Sequence, residues 1–483
     1  MATSPPAWTP ERERAAIERA RRFGQEHVFR FAEDLEPSER EALLAQFETF
    51  DLATIDGLVR KAVSGGGVPK GEPSPARMLT VPETPAEVDR REAAREAGAE
   101  KIREGRVAVL TVAGGQGTRL GFDRPKGMFP IGPVTDRTLF RLIADRIAAA
   151  ERRYGASIPW LVMTSPATDE DTREYFRSER DFGRGSEGLR FLVQGTMPAV
   201  DMEGKLLLES RGRIAASPNG HGGSLLALRD SGTTDWLDQR GVETLYYFQV
   251  DNPLVPVPDP VFLGYHSLAG AEMSTKVVAK SAPEEKVGVL CDIEGRTHVI
   301  EYSDLDEGRM HERDERGRLR FRGGNIAVHA IENAFVRSLT QNGLELPYHV
   351  ARKKIPHLDA EGRTIRPEEP NGFKFETFVF DALPLASTTV TQEVSRAEEF
   401  APVKNADGVD SPATARTALA EAYTRWLAEA GVPGAVRALA EDSIAMVEIS
   451  PGFALDAAEC VEAVGDPGGI EYRDGLVLEN PEG

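Results

Sequence analysis

Residues 107–127 read V-A-V-L-T-V-A-G-G-Q-G-T-R-L-G-F-D-R-P-K-G. Val107 to Val112 is a short apolar run that stops at Gly114-Gly115, as a buried parallel strand does where it ends in a loop. Gly114, Gly115 and Gly117 let the backbone turn tightly and approach a ligand. Exposed amides in such a turn form a nest for anions, phosphates above all. Arg119 and Lys126 put two positive charges beside the nest, and Pro125 stiffens the approach to Lys126. Two common phosphate loops do not fit. No Lys-Ser or Lys-Thr follows the glycines, which excludes a Walker A loop, and the spacing from Gly115 is GxGxxxG rather than the GxGxxG of a dinucleotide site.

Outward from this loop, strand and helix patterns alternate. Asp136 to Tyr154 reads as a helix, with Leu139, Phe140, Ile143 and Ile147 on one face and Asp136 as its cap. Trp160 to Met163, Leu189 to Val193 and Leu245 to Val250 read as further buried strands. This alternation predicts an α/β fold with a doubly wound mixed sheet, in which ligands gather at the carboxyl ends of the strands. Strand-like runs at Thr275–Ala279, Val287–Cys291 and His298–Tyr302 suggest an antiparallel insertion. Residues from about 10 to 62 read as helices, the second opening at a Ser38–Glu41 capping box. Ala413 to Ala430 reads as another helix, and residues 64–77 as a Gly- and Pro-rich linker. The expected organisation is a helical N-terminal region over 1–100, a catalytic domain over 101–400 and a small C-terminal domain over 401–483.

Lys plus Arg number 58 against 78 Asp plus Glu, a net charge of −20 over 483 residues. Such an excess argues against a general nucleic-acid binder, which needs a basic face. The two cysteines, Cys291 and Cys460, make no disulfide framework, and Cys291 reads as packed rather than reactive. No stretch approaches the ~18 apolar residues of a membrane span. The charged N-terminus lacks a signal-peptide core, so a cytoplasmic protein is expected.

Two further residues carry chemistry on their own pattern. Gln194 follows the third strand, and its amide can both donate to and accept from a base edge. Asp251 ends the strand L-Y-Y-F-Q-V-D, where a carboxylate is placed to hold a divalent cation against phosphates.

The stretch GGQGTRLGFDRPKGMF resembles the signature loop of the UDP-N-acetylglucosamine pyrophosphorylases, within the wider UDP-sugar pyrophosphorylase family. The likeness continues through Met163-Thr164-Ser165, Val193-Gln194-Gly195, Val250-Asp251-Asn252, Glu301-Tyr302-Ser303, Gly324-Asn325-Ile326, H-V-A-R-K-K-I-P-H (349–357), P-N-G-F-K-F-E-T-F-V-F-D (370–381), V-K-N-A-D (403–407) and Glu448-Ile449-Ser450-Pro451. It implies a Rossmann-like nucleotidyltransferase core that joins UTP and a sugar 1-phosphate with release of pyrophosphate. The nucleophile there is already anionic, so catalysis needs positioning and charge neutralisation rather than a base. The same resemblance puts Val112, Ala113, Gly114 and Gly115 at the uracil and the start of the phosphate chain, with Lys126 at the UTP phosphates and Arg119 at the leaving pyrophosphate. It puts Mg²⁺ on Asp251, Lys374 at the UTP phosphates and Lys404 at the sugar phosphate. Glu301, Tyr302 and Asn325 become sugar contacts. Phe373 and Phe375 read either as a pocket for an acetyl methyl group or as ordinary strand core. The implied partners are UTP and a sugar 1-phosphate, with no nucleic acid and no membrane, for a monomer or weak homo-oligomer.

One segment departs from the pattern. Residues 217–223 read S-P-N-G-H-G-G. The acetylglucosamine enzymes generally carry Asn where His221 stands, and the UDP-glucose and broad-range enzymes often carry His. Gly220 and Gly223 still permit close backbone approach, and His221 can donate a hydrogen bond to a sugar or phosphate oxygen. The expected product is UDP-N-acetylglucosamine, with a UDP-glucose or broad-specificity enzyme as the alternative.

Overall fold

The apolar run at 107–112 is the strand β1 (Val107–Val112) of a computed structural model that describes residues 9–64, 71–302 and 304–480. Beside β1 lie β2 (Trp160–Thr164), β3 (Leu189–Val193) and β4 (Thr244–Gln249). These four are parallel, in the spatial order β3-β2-β1-β4. Val107 to Leu110 are fully buried, as strands covered by helices on both faces must be. The sheet grows to ten strands through β5 (Met273–Ala279), β6 (Val289–Ile293), β7 (Arg296–Ile300), β8 (Gly323–Glu332), β9 (Thr389–Val394) and the short Ser74–Pro75. β8 runs antiparallel to β4 and β5, while β9 is parallel to β5. Of the three runs expected as an antiparallel insertion, the latter two form the hairpin β6–β7, which joins the main sheet through β8, whereas Thr275–Ala279 belongs to β5 of the main sheet, antiparallel to β8 but parallel to β9.

The helix between β1 and β2 spans Leu139–Tyr154, and Thr138, not Asp136, caps it: Thr138 Oγ1 accepts the Arg141 N–H at 3.1 Å. Asp136 sits in a left-handed turn (φ 53°) and pairs with Arg416 at 3.2 Å, so its carboxylate is not at the helix end. The second helix likewise starts two residues earlier than its capping-box pattern suggested, over Pro37–Thr49, with Glu39 Oε2 accepting the Glu36 N–H at 3.2 Å.

The chain divides into two compact units, and they do not follow three consecutive segments. One gathers Gly71–Gln194, Ser224–Glu345 and Phe380–Gly483. Helix Pro85–Arg103 belongs here because it crosses Pro260–Leu268 at backbone contact. A Cβ on Gly264 would lie 1.6 Å from the Ala94 carbonyl oxygen, so only glycine permits that approach. The C-terminal tail is no separate body either. Val447, Ile449 and Cys460 share one buried cluster with Val109 and Tyr246, and Glu448 accepts from Arg137, Val134 N–H and Thr135 N–H at 2.8, 3.0 and 2.9 Å. Burial opposes the Glu448 charge, but these hydrogen bonds win and hold its carboxyl below the ordinary range.

The second unit comprises the described residues within Met1–Lys70, with Gly195–Gly223 and Leu346–Val379. The N-terminal helices therefore share a core with distant chain rather than forming a layer of their own. Leu44, Phe47, Val28, Leu206, Phe373 and Phe375 form that core. Two glutamines act as backbone surrogates: Gln25 donates to the Gly204 carbonyl at 2.8 Å and accepts from Leu206 N–H at 2.8 Å, and Gln46 does the same to Ile214 at 2.9 Å each way. Such pairing satisfies strand-edge groups that no neighbouring strand covers. The linker reading at 64–77 lies partly outside the described residues.

Candidate active site

The glycine loop leaves β1 at its carboxyl end and is held by neighbours from two other strand ends, those of β2 and β4. Val250 N–H donates to the Val112 carbonyl at 3.0 Å and Ala113 N–H to the Met163 carbonyl at 2.7 Å. Ser165 Oγ donates to the Gly114 carbonyl at 2.9 Å. The loop then folds back, with Lys126 N–H donating to Gly115 and Gly117 N–H to Arg124. The N–H groups of Gly114 and Gly115 make no hydrogen bond among the described residues. A Cβ on Gly115 would meet nothing within 4 Å, so no protein atom demands glycine there. Unmet amides facing open space are the requirement of an anion nest. Gln194 is buried, and its Oε1 lies 3.1 Å from where a Gly114 Cβ would stand.

Lys126 turns back along β4, and its Nζ lies 3.1 Å from Asp251 Oδ2. The Gly127 that follows leaves no room for a side chain against Phe140, which fixes the lysine's backbone. Asp251 is mostly buried. Its backbone carbonyl accepts the Val403 N–H at 2.8 Å, which brings Lys404, one residue on, to the same strand end. Lys404 is half-exposed, with Asp410 at 3.6 Å and Phe400 beneath its ammonium at 5.7 Å. Arg119 is exposed and makes no ion pair among the described residues.

Among the described residues no group of three or more His, Cys, Asp or Glu side chains is arranged to hold a metal. Asp251 stands alone, with Oδ2 on Lys126 and Oδ1 making no hydrogen bond among the described residues. A small divalent cation needs only one or two protein carboxylates when phosphates and water complete its shell. The donor set fits such an ion.

Asn325 lies on β8 at a bulge, where the register with β5 shifts between Thr275 and Val277. Its Oδ1 accepts the Ala327 N–H at 3.0 Å, which orients the amide so that Nδ2 is the group left to meet a ligand. Glu301 follows β7, half-buried, and Tyr302 is exposed. Ser303 lies outside the described residues. Cys291 is buried, and burial pushes its thiol up to about 12.

Three expected residues belong to the other unit. Lys374 sits mid-strand in Gly372–Thr377, which pairs with Tyr348–Lys353 and Val200–Asp201. Phe373 and Phe375 on either side are fully buried core, which is the strand-core one of their two readings. Gly220 (φ 83°) is required because a Cβ would meet the Thr377 carbonyl oxygen at 2.2 Å, and one on Gly223 would meet Asn219. The close approach is thus to the protein's own chain. His221 Nδ1 accepts the Val379 N–H at 3.2 Å, and its ring stacks on Phe378. That bond selects the tautomer protonated at Nε2 and builds the ring into the fold.

Sequence reasoning quoted Ser165 and Asn252 but gave them no part. Both tie strand ends together, Ser165 to the glycine loop and Asn252 to residues 399–401. It missed Lys276, which is fully buried between Asp259 and Glu399. A cavity of about 400 Å³ is lined by Arg146, Tyr154, Asp259, Glu399, Tyr423 and Trp426, and none of the expected site residues lines it.

A doubly wound sheet whose first strand ends in an open-amide loop, with a cation and a strand-end carboxylate beside it, is nucleotidyltransferase-like. Residues 76–417 match the model of the UTP–glucose-1-phosphate uridylyltransferase family, and the chain belongs to that family. It is 39% identical to UDP-N-acetylhexosamine pyrophosphorylase-like protein 1 of Homo sapiens, over 86% of this chain and 85% of the relative. It is 36% identical to UDP-N-acetylglucosamine diphosphorylase 2 of Arabidopsis thaliana, over 88% and 87%. The crystal structure of the uridine diphosphate N-acetylglucosamine pyrophosphorylase from Trypanosoma brucei, in complex with inhibitor, matches with a TM-score of 0.84 at 27% identity, covering 99% of this chain and all of that one. The family acts on UTP and a sugar 1-phosphate and generally uses a divalent metal. No helix among the described residues is long and apolar enough to cross a membrane.

Proposed function

We propose that this chain joins UTP and N-acetylglucosamine 1-phosphate into UDP-N-acetylglucosamine and pyrophosphate, as a Mg²⁺-dependent, cytoplasmic monomer or weak homo-oligomer. The observation that carries the reading is the Lys126–Asp251 pair at 3.1 Å, joined through Lys126 N–H to a loop with two unmet glycine amides. A triphosphate answers the amides and the lysine, and a divalent cation bound with it answers the carboxylate.

Gln194 and the backbone from Val112 to Gly115 receive uracil and the first phosphate. Lys126 holds UTP phosphates, Arg119 steadies the departing pyrophosphate, and Lys404 holds the sugar phosphate. Asp251 would hold Mg²⁺, which would supply charge neutralisation to the reacting phosphates. A sugar-phosphate oxygen attacks the α-phosphorus in line: the new O–P bond forms as the bond to the β-phosphate oxygen breaks, and that oxygen leaves on pyrophosphate. No proton is removed from the nucleophile, so no general base is needed. Glu301, Tyr302 and the Asn325 amide meet the sugar.

The relatives named for acetylated sugars support N-acetylglucosamine 1-phosphate over the glucose alternative that His221 raised. The test is a sugar 1-phosphate panel with UTP and Mg²⁺, scored by pyrophosphate release. N-acetylglucosamine 1-phosphate is expected to be the best substrate. Equal or better use of glucose 1-phosphate rejects the assignment.

A further inference from the structure

We propose that Lys276 is a positioning residue for the sugar-phosphate side of the reaction. Held between Asp259 and Glu399, it fixes the segment that bonds the Asp251 backbone and leads into Lys404. The proposal rests on the uridylyltransferase reading above and adds a residue to it.

The contacts form one continuous path. Lys276 Nζ lies 2.6 Å from Asp259 Oδ2 and 2.5 Å from Glu399 Oε2. The Glu399 carbonyl accepts from Asn252 Nδ2 at 2.7 Å, and Asn252 Oδ1 accepts the Ala401 N–H at 3.1 Å. Val403 N–H then donates to Asp251 at 2.8 Å, and Lys404 follows. Residues 399–403 are therefore pinned at four points: three to the strand end that bears the proposed metal ligand, one to Lys276. Asp259 is itself fixed, because its Oδ1 caps helix Pro260–Leu268 through the Val261 N–H at 2.8 Å. The lysine thus ties a rigid helix start to the segment that delivers Lys404.

A buried ion cluster gives little net stability compared with apolar residues of the same volume. What it does give is a defined distance, and a sub-ångström shift of a phosphate-holding lysine has a large effect on an in-line transfer. One cation faces two carboxylates here. Burial outweighs Lys276 at Glu399 and raises that carboxyl, whereas at Asp259 Lys276 wins over burial and lowers it. Glu399 is thus the member whose neutral isostere leaves a balanced pair behind.

The test compares Glu399→Gln with the unchanged protein, measuring melting temperature, kcat, and KM for UTP and for N-acetylglucosamine 1-phosphate. Lys276 and Asp259 remain paired in this variant. A melting point within a few degrees is expected, with kcat/KM for the sugar phosphate falling by about tenfold to a hundredfold and KM for UTP holding within about twofold. If Glu399→Gln does not fold, the neutral variant Lys276→Met/Asp259→Asn/Glu399→Gln, which leaves no charge unpaired, is read in its place with the same expectations. Sugar-phosphate constants within about twofold of the parent overturn the positioning role. So does an equal loss in both KM values that tracks the melting point, the signature of a purely structural part. No turnover by the unchanged protein with any sugar 1-phosphate instead rejects the uridylyltransferase reading, and this proposal with it.

Discussion

Lys126 and Lys276, both in the larger unit, meet carboxylates, and their surroundings differ in kind. Lys126 reaches one oxygen of Asp251 at 3.1 Å at a strand end, next to a glycine loop whose Gly114 and Gly115 amides are unmet among the described residues. Lys276 has no exposed surface and two carboxylates within 2.6 Å. The first pair has open valences around it and can exchange its partner for a phosphate. In the second the cation itself is sealed in, although Asp259 and Glu399 also line the cavity of about 400 Å³, and loss of Lys276 leaves both carboxylates without their cation. A lysine–carboxylate contact therefore marks a ligand site only where the neighbouring polar groups remain unmet.

That contrast can be broken from either side. The largest effect is expected at the closed cluster. Lys276→Met leaves Asp259 and Glu399 buried without a cation, which removes about 3–5 kcal/mol of stability. Urea unfolding measures this, and a loss under about 1 kcal/mol would place the cluster in effective contact with solvent. Next comes the open pair. Lys126→Ala is expected to lower kcat by about 10²–10³ while the urea midpoint stays where it was. Near-normal turnover at saturating Mg²⁺ contradicts the phosphate role. The smallest effect belongs to His221, a closed group in the other unit. Burial, with His349 adding to it, pushes the ring down to about 4. The neutral ring therefore favours the folded state above about pH 6.5, and that contribution is lost as pH falls from there through about 4. His221→Asn keeps an acceptor for the Val379 N–H and should flatten the acid side of the melting-temperature profile. Parallel profiles for the two proteins would show that the ring already titrates near its ordinary value.

The glycine loop and the four parallel strands were legible because their signals are local. An apolar run, its terminating glycines and the Pro125-Lys126 pair lie within 21 residues, and Asp251 ends its own strand visibly. The closed cluster was not legible. Lys276 sits in a strand beside Thr275, which reads as an outward polar position, and Glu399 lies 123 residues downstream. The cap at Thr138 was hidden by a competing Asp136 two residues away, and only the left-handed turn at Asp136 decides between them. Phe373 and Phe375 carried two readings because alternation on a strand does not say which face is core. The Phe47 side of that core comes from the far N-terminus.

The glutamine surrogates have a practical consequence for anyone who would trim this chain. Gln25 and Gln46 cover the amides of Leu206 and Ile214, and the N-terminal segment that carries them shares one core with Phe373 and Phe375. Cutting away the first fifty or so residues would bare an unpaired strand margin and two phenyl rings together. The shortened product would be a self-associating species prone to precipitate, so affinity handles belong on an intact leading segment.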